Sequence, residues 1–339
     1  MPQFCVVGAG GIGCAIGYAL REAGVSVDFI DAQPNKVRHG QRDGVRVDHK
    51  PALPATFLSF EEWKPAANAI VLLCTKCYDN ATVLKKLPAG VCLIPIQNGF
   101  DPQLASQNHA FEGIASFVSE CLPDRPHTRI TRSGALHLGA RGHHDSTTLP
   151  AIIREVFVPA LQSTTLFRVV EVDPIEPIKY AKLMYNAAIS PLAAAAGIDN
   201  GQLLSVPLAR ALFFALLQEN YRILQAAGVE LGKVGPFHPR VVAWILRQKW
   251  LAGLMARAFE PSLRGTYCSM AGEIQKGRTE IDNYNGHLLD LAKSTGVPCP
   301  LNQAVYELVT GMTHSSATPT RDVLETLRNQ ASGLSPVAA

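Results

Sequence analysis

The chain has 339 residues, of which 47% are apolar, and its 31 Lys and Arg residues nearly balance its 28 Asp and Glu residues. This length exceeds the size at which one hydrophobic core stops growing, so we expect two domains. The net charge of +3 is spread without a basic run, which excludes a typical nucleic-acid-binding surface. No stretch reaches the roughly 18 uninterrupted apolar residues of a membrane span, and the start lacks the basic segment of a signal peptide. We therefore predict a cytoplasmic protein that binds neither nucleic acid nor membrane.

The cysteines lie mostly within apolar stretches, at Cys5, Cys14, Cys74, Cys77, Cys92, Cys121, Cys268 and Cys299. This distribution is typical of buried thiols in a reducing compartment and not of a disulfide framework. Cys74 and Cys77 have the spacing of a CxxC motif, but no second Cys or His pair of suitable spacing accompanies them. We therefore predict that the chain has no metal site.

The first predicted elements form a βαβ unit. An apolar run over 3–7 predicts a strand, the pattern over 12–23 predicts a helix that ends at Gly24, and 25–30 predicts a second strand that ends at Asp31. Further strands are predicted at 45–47, 69–74, 91–96, 113–118 and 134–138, with a helix at 80–87. We predict a Rossmann-type, doubly wound α/β domain over residues 1–170.

The second half of the chain changes character, because alternation gives way to helical periodicity. Helices are predicted at 175–197, 207–228, 238–258, 267–296 and 302–313. Gly197, Gly228 and Gly296 fall where three of these helices should end. We predict an all-helical domain over 171–330, followed by a frayed tail over 331–339.

A glycine-rich turn directly follows the first predicted strand and opens the first helix, the context in which GxGxxG binds a dinucleotide. The turn consists of Gly8, Ala9, Gly10, Gly11, Ile12 and Gly13. Gly8 permits the tight turn, Gly10 lets the backbone approach the phosphates, and Gly13 lets the helix pack on the strand. The amides of the helix N-terminus would then face the pyrophosphate. These residues are predicted to bind the cofactor.

Asp31 ends the second predicted strand, 18 residues after Gly13. A carboxylate at this position can accept hydrogen bonds from the adenosine ribose and would repel a 2′-phosphate, which favours NAD over NADP. Two alternatives stay open. Lys36, Arg38 and Arg42 follow closely and could bind a phosphate, and Asp31 could simply cap a turn.

The first helix of the second half carries a polar face. Lys182, Asn186 and Ser190 recur every four positions, so they share one side of the helix. Apolar neighbours such as Leu183 and Met184 would desolvate the lysine and lower its pKa. Reduction of a 2-oxo acid by a dihydronicotinamide needs such a proton donor and polar groups for the substrate oxygens.

Short motifs follow one another along nearly the whole chain. They are GxGxxG, Thr75-Lys76, Gln97-Asn98-Gly99, Lys182-Leu-x-x-Asn186 with Pro191-Leu192, Asn200-Gly201, Cys268-Ser269-Met270, Thr279-Glu280-Ile281-Asp282 and Asn285-Gly286. In order and spacing they resemble the ketopantoate reductases (2-dehydropantoate 2-reductases) and related 2-oxo acid reductases.

This resemblance implies hydride transfer from the cofactor to the C2 carbonyl of a small 2-oxo acid, with ketopantoate as the leading substrate and a homodimer as the assembly. Lys182 would donate the proton. The other implied roles are cofactor contacts by Lys76, Asn98 and Ser119, substrate contacts by Asn186, Ser190, Asn200 and Ser269, and closure of the site by Glu280.

The sequence departs from the family pattern in several places. Ser190 stands where an asparagine is common, and Thr266 stands near where another is usual. The stretch between Ser269 and Glu280 is one residue shorter, which in a continuous helix would turn Glu280 by about 100°. An extra segment over 241–259 reshapes the helical domain or a subunit contact.

Each of these residues also has a plainer interpretation. Lys182 could be a lysine whose charge reaches solvent, and Ser269 could cap a helix. Asn98 and Asn200 could be ordinary Asn-Gly turn residues. Alternatives for the whole chain are a reductase of a different 2-oxo acid or opine-like imine, and a dinucleotide-binding regulator without catalysis.

Overall fold

A computed structural model describes residues 3–142 and 150–333. The chain divides into two compact units, Met1–Glu176 and Pro177–Ala339. Within the part that the structure describes, no helix combines the length and the apolar character needed to cross a bilayer.

The first unit is an α/β structure. Its strands are β1 (Phe4–Val7), β2 (Val27–Asp31), β3 (Arg46–Val47), β4 (Thr56–Ser59), β5 (Ile70–Leu73), β6 (Cys92–Pro95), β7 (Phe111–Ala115), β8 (Val118–Cys121), β9 (His127–Arg132), β10 (Ala135–Ala140) and β11 (Arg168–Val172). Its helices are α1 (Gly11–Glu22), α2 (Pro34–Asp43), α3 (Asn80–Leu84), α4 (Pro102–Ala105) and α5 (Val158–Gln162), the last preceded by a π-helical turn over Ile153–Phe157.

A parallel sheet in the order β4-β2-β1-β5-β6 forms the centre of this unit. β1 lies between β2 and β5, with Val7 opposite Ile30 and Leu73. All four residues of β1 are buried, as expected for a parallel strand covered on both faces. The carboxyl ends of these strands meet at one edge, where dinucleotides bind in such sheets. The predicted Rossmann-type sheet is confirmed.

The smaller sheets differ from the prediction. The run predicted as one strand over 113–118 forms the ends of β7 and β8, which belong to separate sheets, β11-β10-β7 and β3-β9-β8. The sequence also did not predict β9 and β11 of these smaller sheets, or β4 at the edge of the central sheet. β9 and β11 carry several polar or exposed residues, and β4 follows a proline-rich stretch, so neither strong alternation nor a continuous apolar run marks them.

The described part of the second unit is helical, as predicted. Its helices, the first of which starts at the unit boundary, are α6 (Glu176–Ala196), α7 (Gln202–Ser205), α8 (Pro207–Ala226), α9 (Pro239–Arg247), α10 (Lys249–Phe259), α11 (His287–Thr295), α12 (Pro300–His314) and α13 (Val323–Gly333). Gly197, Gly228 and Gly296 adopt positive φ angles after helices, as expected for left-handed caps. The helix predicted over 238–258 is interrupted at Gln248, whose backbone is extended. Most of the tail predicted over 331–339 lies outside the described residues.

The prediction of one helix over 267–296 is wrong. The structure has a 3-10 turn at Ile274–Lys276, a π-helical turn at Asp282–Gly286 and then α11. Gly272 and Gly277 have φ angles of 72° and 71°, a left-handed conformation that ends helices. Because no continuous helix joins Ser269 to Glu280, the missing residue does not rotate Glu280 by one helical step.

Pro191 leaves one carbonyl of α6 without a helical donor, near the π-helical turn. A proline inside a helix cannot donate to the carbonyl four residues earlier, here that of Ala187. The Asn285 side chain, from the π-helical turn, donates to that carbonyl at 3.0 Å. This contact satisfies a buried acceptor and anchors the residues around Glu280 against α6.

Candidate active site

Two glycines of the turn in the first unit lie in contacts that leave no room for a side chain. Gly8 has a φ of +97°, and a Cβ there would lie 2.9 Å from the Thr75 nitrogen. A Cβ on Gly13 would lie 2.0 Å from the Gly8 oxygen. At Gly10, by contrast, a Cβ would have no neighbour within 4 Å. Packing therefore requires Gly8 and Gly13, whereas Gly10 faces the open space through which a phosphate can approach the backbone.

The N-terminus of α1 lies in the same turn and includes Ile12. Gly10 caps the helix without a side-chain hydrogen bond, and the first amides of any helix lack acceptors within the helix. Ser119 of β8 lies beside this end of the helix. A Cβ added to Gly11 would lie only 2.6 Å from the Ser119 Oγ. This Oγ is buried and has no hydrogen-bond partner among the described residues. The donor set and the orphaned hydroxyl fit the pyrophosphate of a dinucleotide.

Asp31 braces the glycine turn from the end of β2. Its Oδ2 accepts a hydrogen bond from the Ala9 amide and its Oδ1 accepts one from the Gln33 amide, both at 2.9 Å. The carboxylate thus caps the start of the loop before α2, as one of the alternatives predicted. Each oxygen keeps further acceptor capacity, so capping and binding of a ribose hydroxyl are compatible.

Two of the three basic residues after Asp31 have partners of their own, and the third is buried. Arg42 pairs with Asp43 at 2.7 Å, and Arg38 donates to the Asn35 Oδ1. Lys36 is buried, with 6% of its surface exposed. Arg38 and Arg42 are thus both engaged by neighbouring side chains.

The ends of β5 and β6 carry Lys76 and Asn98. Gln97, in the loop after β6, contacts the loop after β5. Its Nε2 donates to the backbone carbonyl oxygen of Thr75 at 2.7 Å and to the Asn80 Oδ1 at 2.8 Å. Sequence reasoning missed Gln97 and Asn80 as positioning residues. Their burial next to the strand ends, at 8% and 0% exposure, was not visible in local periodicity.

The CxxC cysteines lie in the same region. Burial raises the pKa of the Cys74 thiol to about 12, so it stays protonated, and the Cys77 Sγ donates to the Asn98 oxygen at 3.2 Å. Over residues 3–142 and 150–333, no cluster of His, Cys, Asp or Glu side chains has the arrangement of metal ligands.

Lys182 on α6 is the central titratable group of the second unit. Burial lowers its pKa to about 8, and the Glu280 carboxylate acts in the opposite direction. A lysine in this range is largely protonated at neutral pH, yet it gives up a proton far more readily than an exposed lysine. The predicted desolvation of Lys182 is thus present in the structure.

A chain of hydroxyl groups connects the face of α6 to Glu280. The Ser190 Oγ lies 3.3 Å from the Ser269 Oγ, which lies 3.3 Å from the Tyr284 hydroxyl. Tyr284 in turn donates to the Glu280 Oε2 at 3.3 Å. The structure therefore brings Ser190, Ser269 and Glu280 together through Tyr284, a residue that sequence reasoning missed. Its position four residues after Glu280 was the available signal.

Asn200 pairs with Thr266. The backbone amide of Asn200 donates to the backbone carbonyl oxygen of Thr266 at 2.9 Å, and the side-chain Nδ2 of Asn200 donates to the Thr266 Oγ1 at 3.1 Å. The Asn200 Oδ1 is buried without a hydrogen-bond partner in the described part of the chain. Asn186, one turn after Lys182 on α6, is partly exposed and joins none of these chains.

Comparison with known proteins decides the family. Residues 4–141 match the model described as ketopantoate reductase PanE/ApbA, and residues 174–313 match the model of its C-terminal part. The chain belongs to the ketopantoate reductase family. It is accordingly an NAD(P)-dependent oxidoreductase of the 2-dehydropantoate 2-reductase type.

Curated relatives cover nearly the whole of this reductase. The 2-dehydropantoate 2-reductase of Pyrobaculum aerophilum is 27% identical over 313 residues, which cover 90% of this chain and 95% of the relative. The 2-dehydropantoate 2-reductase of Aquifex aeolicus is 26% identical, with 91% and 96% covered.

Solved structures share the fold. The ketopantoate reductase of Ralstonia eutropha JMP134 has a TM-score of 0.71 at 21% identity, covering 93% of this chain and 99% of that one. D-mandelate dehydrogenase, solved in a ternary complex with NADH and anilino(oxo)acetate, has a TM-score of 0.74 at 18% identity with the same coverage.

Proposed function

We propose that this reductase converts a small 2-oxo acid to the 2-hydroxy acid, with ketopantoate, which gives pantoate, as the leading substrate. The observation that carries the proposal is Lys182, whose pKa is lowered to about 8 by burial while the Glu280 carboxylate opposes that shift. The curated relatives named above, which are 2-dehydropantoate 2-reductases, support the choice of substrate.

The first unit would hold the cofactor. When bound, a reduced nicotinamide dinucleotide supplies the hydride. The turn from Gly8 to Gly13 and the N-terminus of α1 would bind the pyrophosphate, with Ser119 beside them. Lys76 and Asn98 would line the ribose and nicotinamide.

The second unit would supply the proton and hold the substrate. Lys182 would donate a proton to the carbonyl oxygen as the C2 carbon is reduced, which requires its ammonium form. Glu280 would keep that form populated, because a nearby carboxylate stabilises a buried ammonium. Substrate oxygens would be bound by Asn186, Ser190, Asn200 and Ser269.

We propose NAD as the preferred cofactor. Asp31 places a carboxylate at the end of β2, where it would repel a 2′-phosphate. The contacts of Arg38 and Arg42 with Asn35 and Asp43 support the same preference.

We also propose a homodimer in the cytoplasm. A relative from Staphylococcus aureus is described as a dimeric ketopantoate reductase. The cysteines of this chain are free thiols in the structure, which suits a reducing compartment.

A second candidate is a reductase of a different 2-oxo acid. Ser190 is shorter than the asparagine that is common at this position in the family, and its hydroxyl is already within 3.3 Å of Ser269. Such a site could leave more room beside the substrate than an asparagine would.

A substrate panel with both cofactors tests these proposals. Purified protein is assayed for loss of reduced-dinucleotide absorbance with ketopantoate, pyruvate, a branched 2-oxo acid and an aromatic 2-oxo acid. The leading proposal predicts the highest kcat/KM for ketopantoate, with NADH preferred over NADPH. Negligible turnover of ketopantoate beside rapid turnover of another acid would establish the second candidate. No turnover with any of these acids would contradict both candidates.

A further inference from the structure

Tyr284 is a fully buried tyrosine whose hydroxyl lies between two polar groups of the proposed site. Its side chain is 0% exposed, and Glu280 is 2% exposed. The hydroxyl donates to the Glu280 Oε2 and lies at the same distance, 3.3 Å, from the Ser269 Oγ. A buried tyrosine hydroxyl needs such partners, because leaving it unsatisfied costs free energy.

The backbone places Tyr284 on the side of Glu280. The backbone amide of Tyr284 donates to the backbone carbonyl oxygen of Glu280 at 3.2 Å. The two side chains therefore stand one turn apart and point in the same direction. The next residue, Asn285, anchors the turn to α6 by its hydrogen bond to the Ala187 carbonyl. The position of the hydroxyl is therefore set by two elements and not by the side chain alone.

Charge sets the direction of the hydrogen-bond chain. An ionised carboxylate only accepts, so the single hydroxyl proton of Tyr284 points to Glu280. Tyr284 must then accept from Ser269. At 3.3 Å these contacts are longer than the roughly 2.7 Å typical of hydroxyl donors.

We propose that Tyr284 is a positioning residue that holds the Glu280 carboxylate in the orientation from which it stabilises the Lys182 ammonium. This role rests on the proposed function of Lys182 as proton donor. Glu280 is the charged group that acts on Lys182 among the described residues. Loss of the hydroxyl removes one hydrogen bond that orients the carboxylate, and burial is then expected to lower the pKa of Lys182 further.

The test compares Tyr284→Phe with the wild type in the pH dependence of kcat/KM. Tyr284→Phe keeps the ring and removes only the hydroxyl. We expect the alkaline limb of the profile to move to lower pH by about one unit. At pH 8 we expect kcat to fall about fivefold, because about half of Lys182 is protonated in the wild type and about a tenth in the variant. The KM for the cofactor is expected to stay unchanged.

Tyr306→Phe is the matched control. The Tyr306 hydroxyl donates to the Asp282 Oδ1 at 2.7 Å, so this variant also removes a tyrosine-carboxylate bond at the same π-helical turn. Its alkaline limb is expected to coincide with that of the wild type. An equal shift in both variants would mean that the turn merely needs its hydrogen bonds, and this would overturn the proposal.

Two further variants separate this proposal from the proposed function. In a Glu280→Gln background, Tyr284→Phe should add no further shift, because the carboxylate that it positions is gone. Lys182→Ala should abolish most turnover. If Lys182→Ala does so while Tyr284→Phe leaves the alkaline limb in place, Tyr284 has no positioning role and the proton donor stands. Full turnover by Lys182→Ala would overturn both.

If Tyr284→Phe is poorly folded, Ser269→Ala provides an independent measurement. It removes the donor to Tyr284, which weakens the bond from Tyr284 to Glu280. The alkaline limb is then expected to move in the same direction by a smaller amount. A limb that stays in place, or moves to higher pH, would contradict the proposal.

Discussion

The glycine turn of the first unit and the face of α6 in the second unit are built by opposite means. The glycine turn depends on missing side chains, since a Cβ on Gly13 would lie 2.0 Å from the Gly8 oxygen. The α6 face depends on buried polar side chains, such as Glu280 and Tyr284, that other segments bring to it. A backbone site is thus encoded within a few consecutive residues, whereas a side-chain site needs partners from distant parts of the chain.

The largest effect is expected from a side chain added to the glycine turn. Gly13→Ala forces a clash with the backbone of Gly8, so we expect a lower Tm and a loss of cofactor affinity of about 100-fold. Gly10→Ala is the matched change, because its Cβ would meet no atom within 4 Å. It should keep the wild-type Tm and still weaken cofactor binding, since its methyl group occupies the approach to the phosphates. Calorimetry and cofactor titration measure both. Equal Tm losses in the two variants would contradict this distinction.

A smaller effect is expected at Asp31. Asp31→Asn keeps an oxygen for the Ala9 amide but removes the charge that opposes a 2′-phosphate. We expect the ratio of kcat/KM for NADH to that for NADPH to fall about tenfold, which corresponds to about 1.4 kcal/mol. Steady-state kinetics with both cofactors give this ratio. An unchanged ratio would show that Asp31 serves only to brace the turn.

The smallest effect concerns the anchor between Asn285 and α6. Asn285→Ala leaves the buried Ala187 carbonyl without its side-chain donor, which should cost about 1–3 kcal/mol of unfolding free energy. In a Pro191→Ala background the helix regains an amide that can donate to this carbonyl. The same substitution should then cost less, as chemical denaturation of the four variants would show. Purely additive costs would mean that Pro191 and Asn285 do not share this acceptor.

The same contrast explains how far the sequence predicted the structure. The Rossmann-type sheet and the roles of Gly8 and Gly13 in packing could be predicted, because a strand, a glycine turn and a helix follow one another directly. The helix predicted over 267–296 was wrong, since apolar periodicity continues across Gly272 and Gly277 while their left-handed backbone ends each turn. Tyr284 was missed because its partners, apart from Glu280, come from other segments. The family resemblance pointed to Glu280 but could not show that Tyr284 joins Glu280 to Ser269.

The alkaline limb of the wild-type pH profile shows whether Lys182 donates the proton. The ammonium form is needed for reduction, and the pKa of Lys182 is lowered to about 8. We therefore expect kcat/KM for 2-oxo acid reduction to be constant below pH of about 8 and to fall tenfold for each further pH unit. Lys182→Arg, which stays charged across this range, should lack that limb in whatever activity remains. A wild-type profile that stays flat to pH 10 would contradict the assignment of Lys182 as the donor.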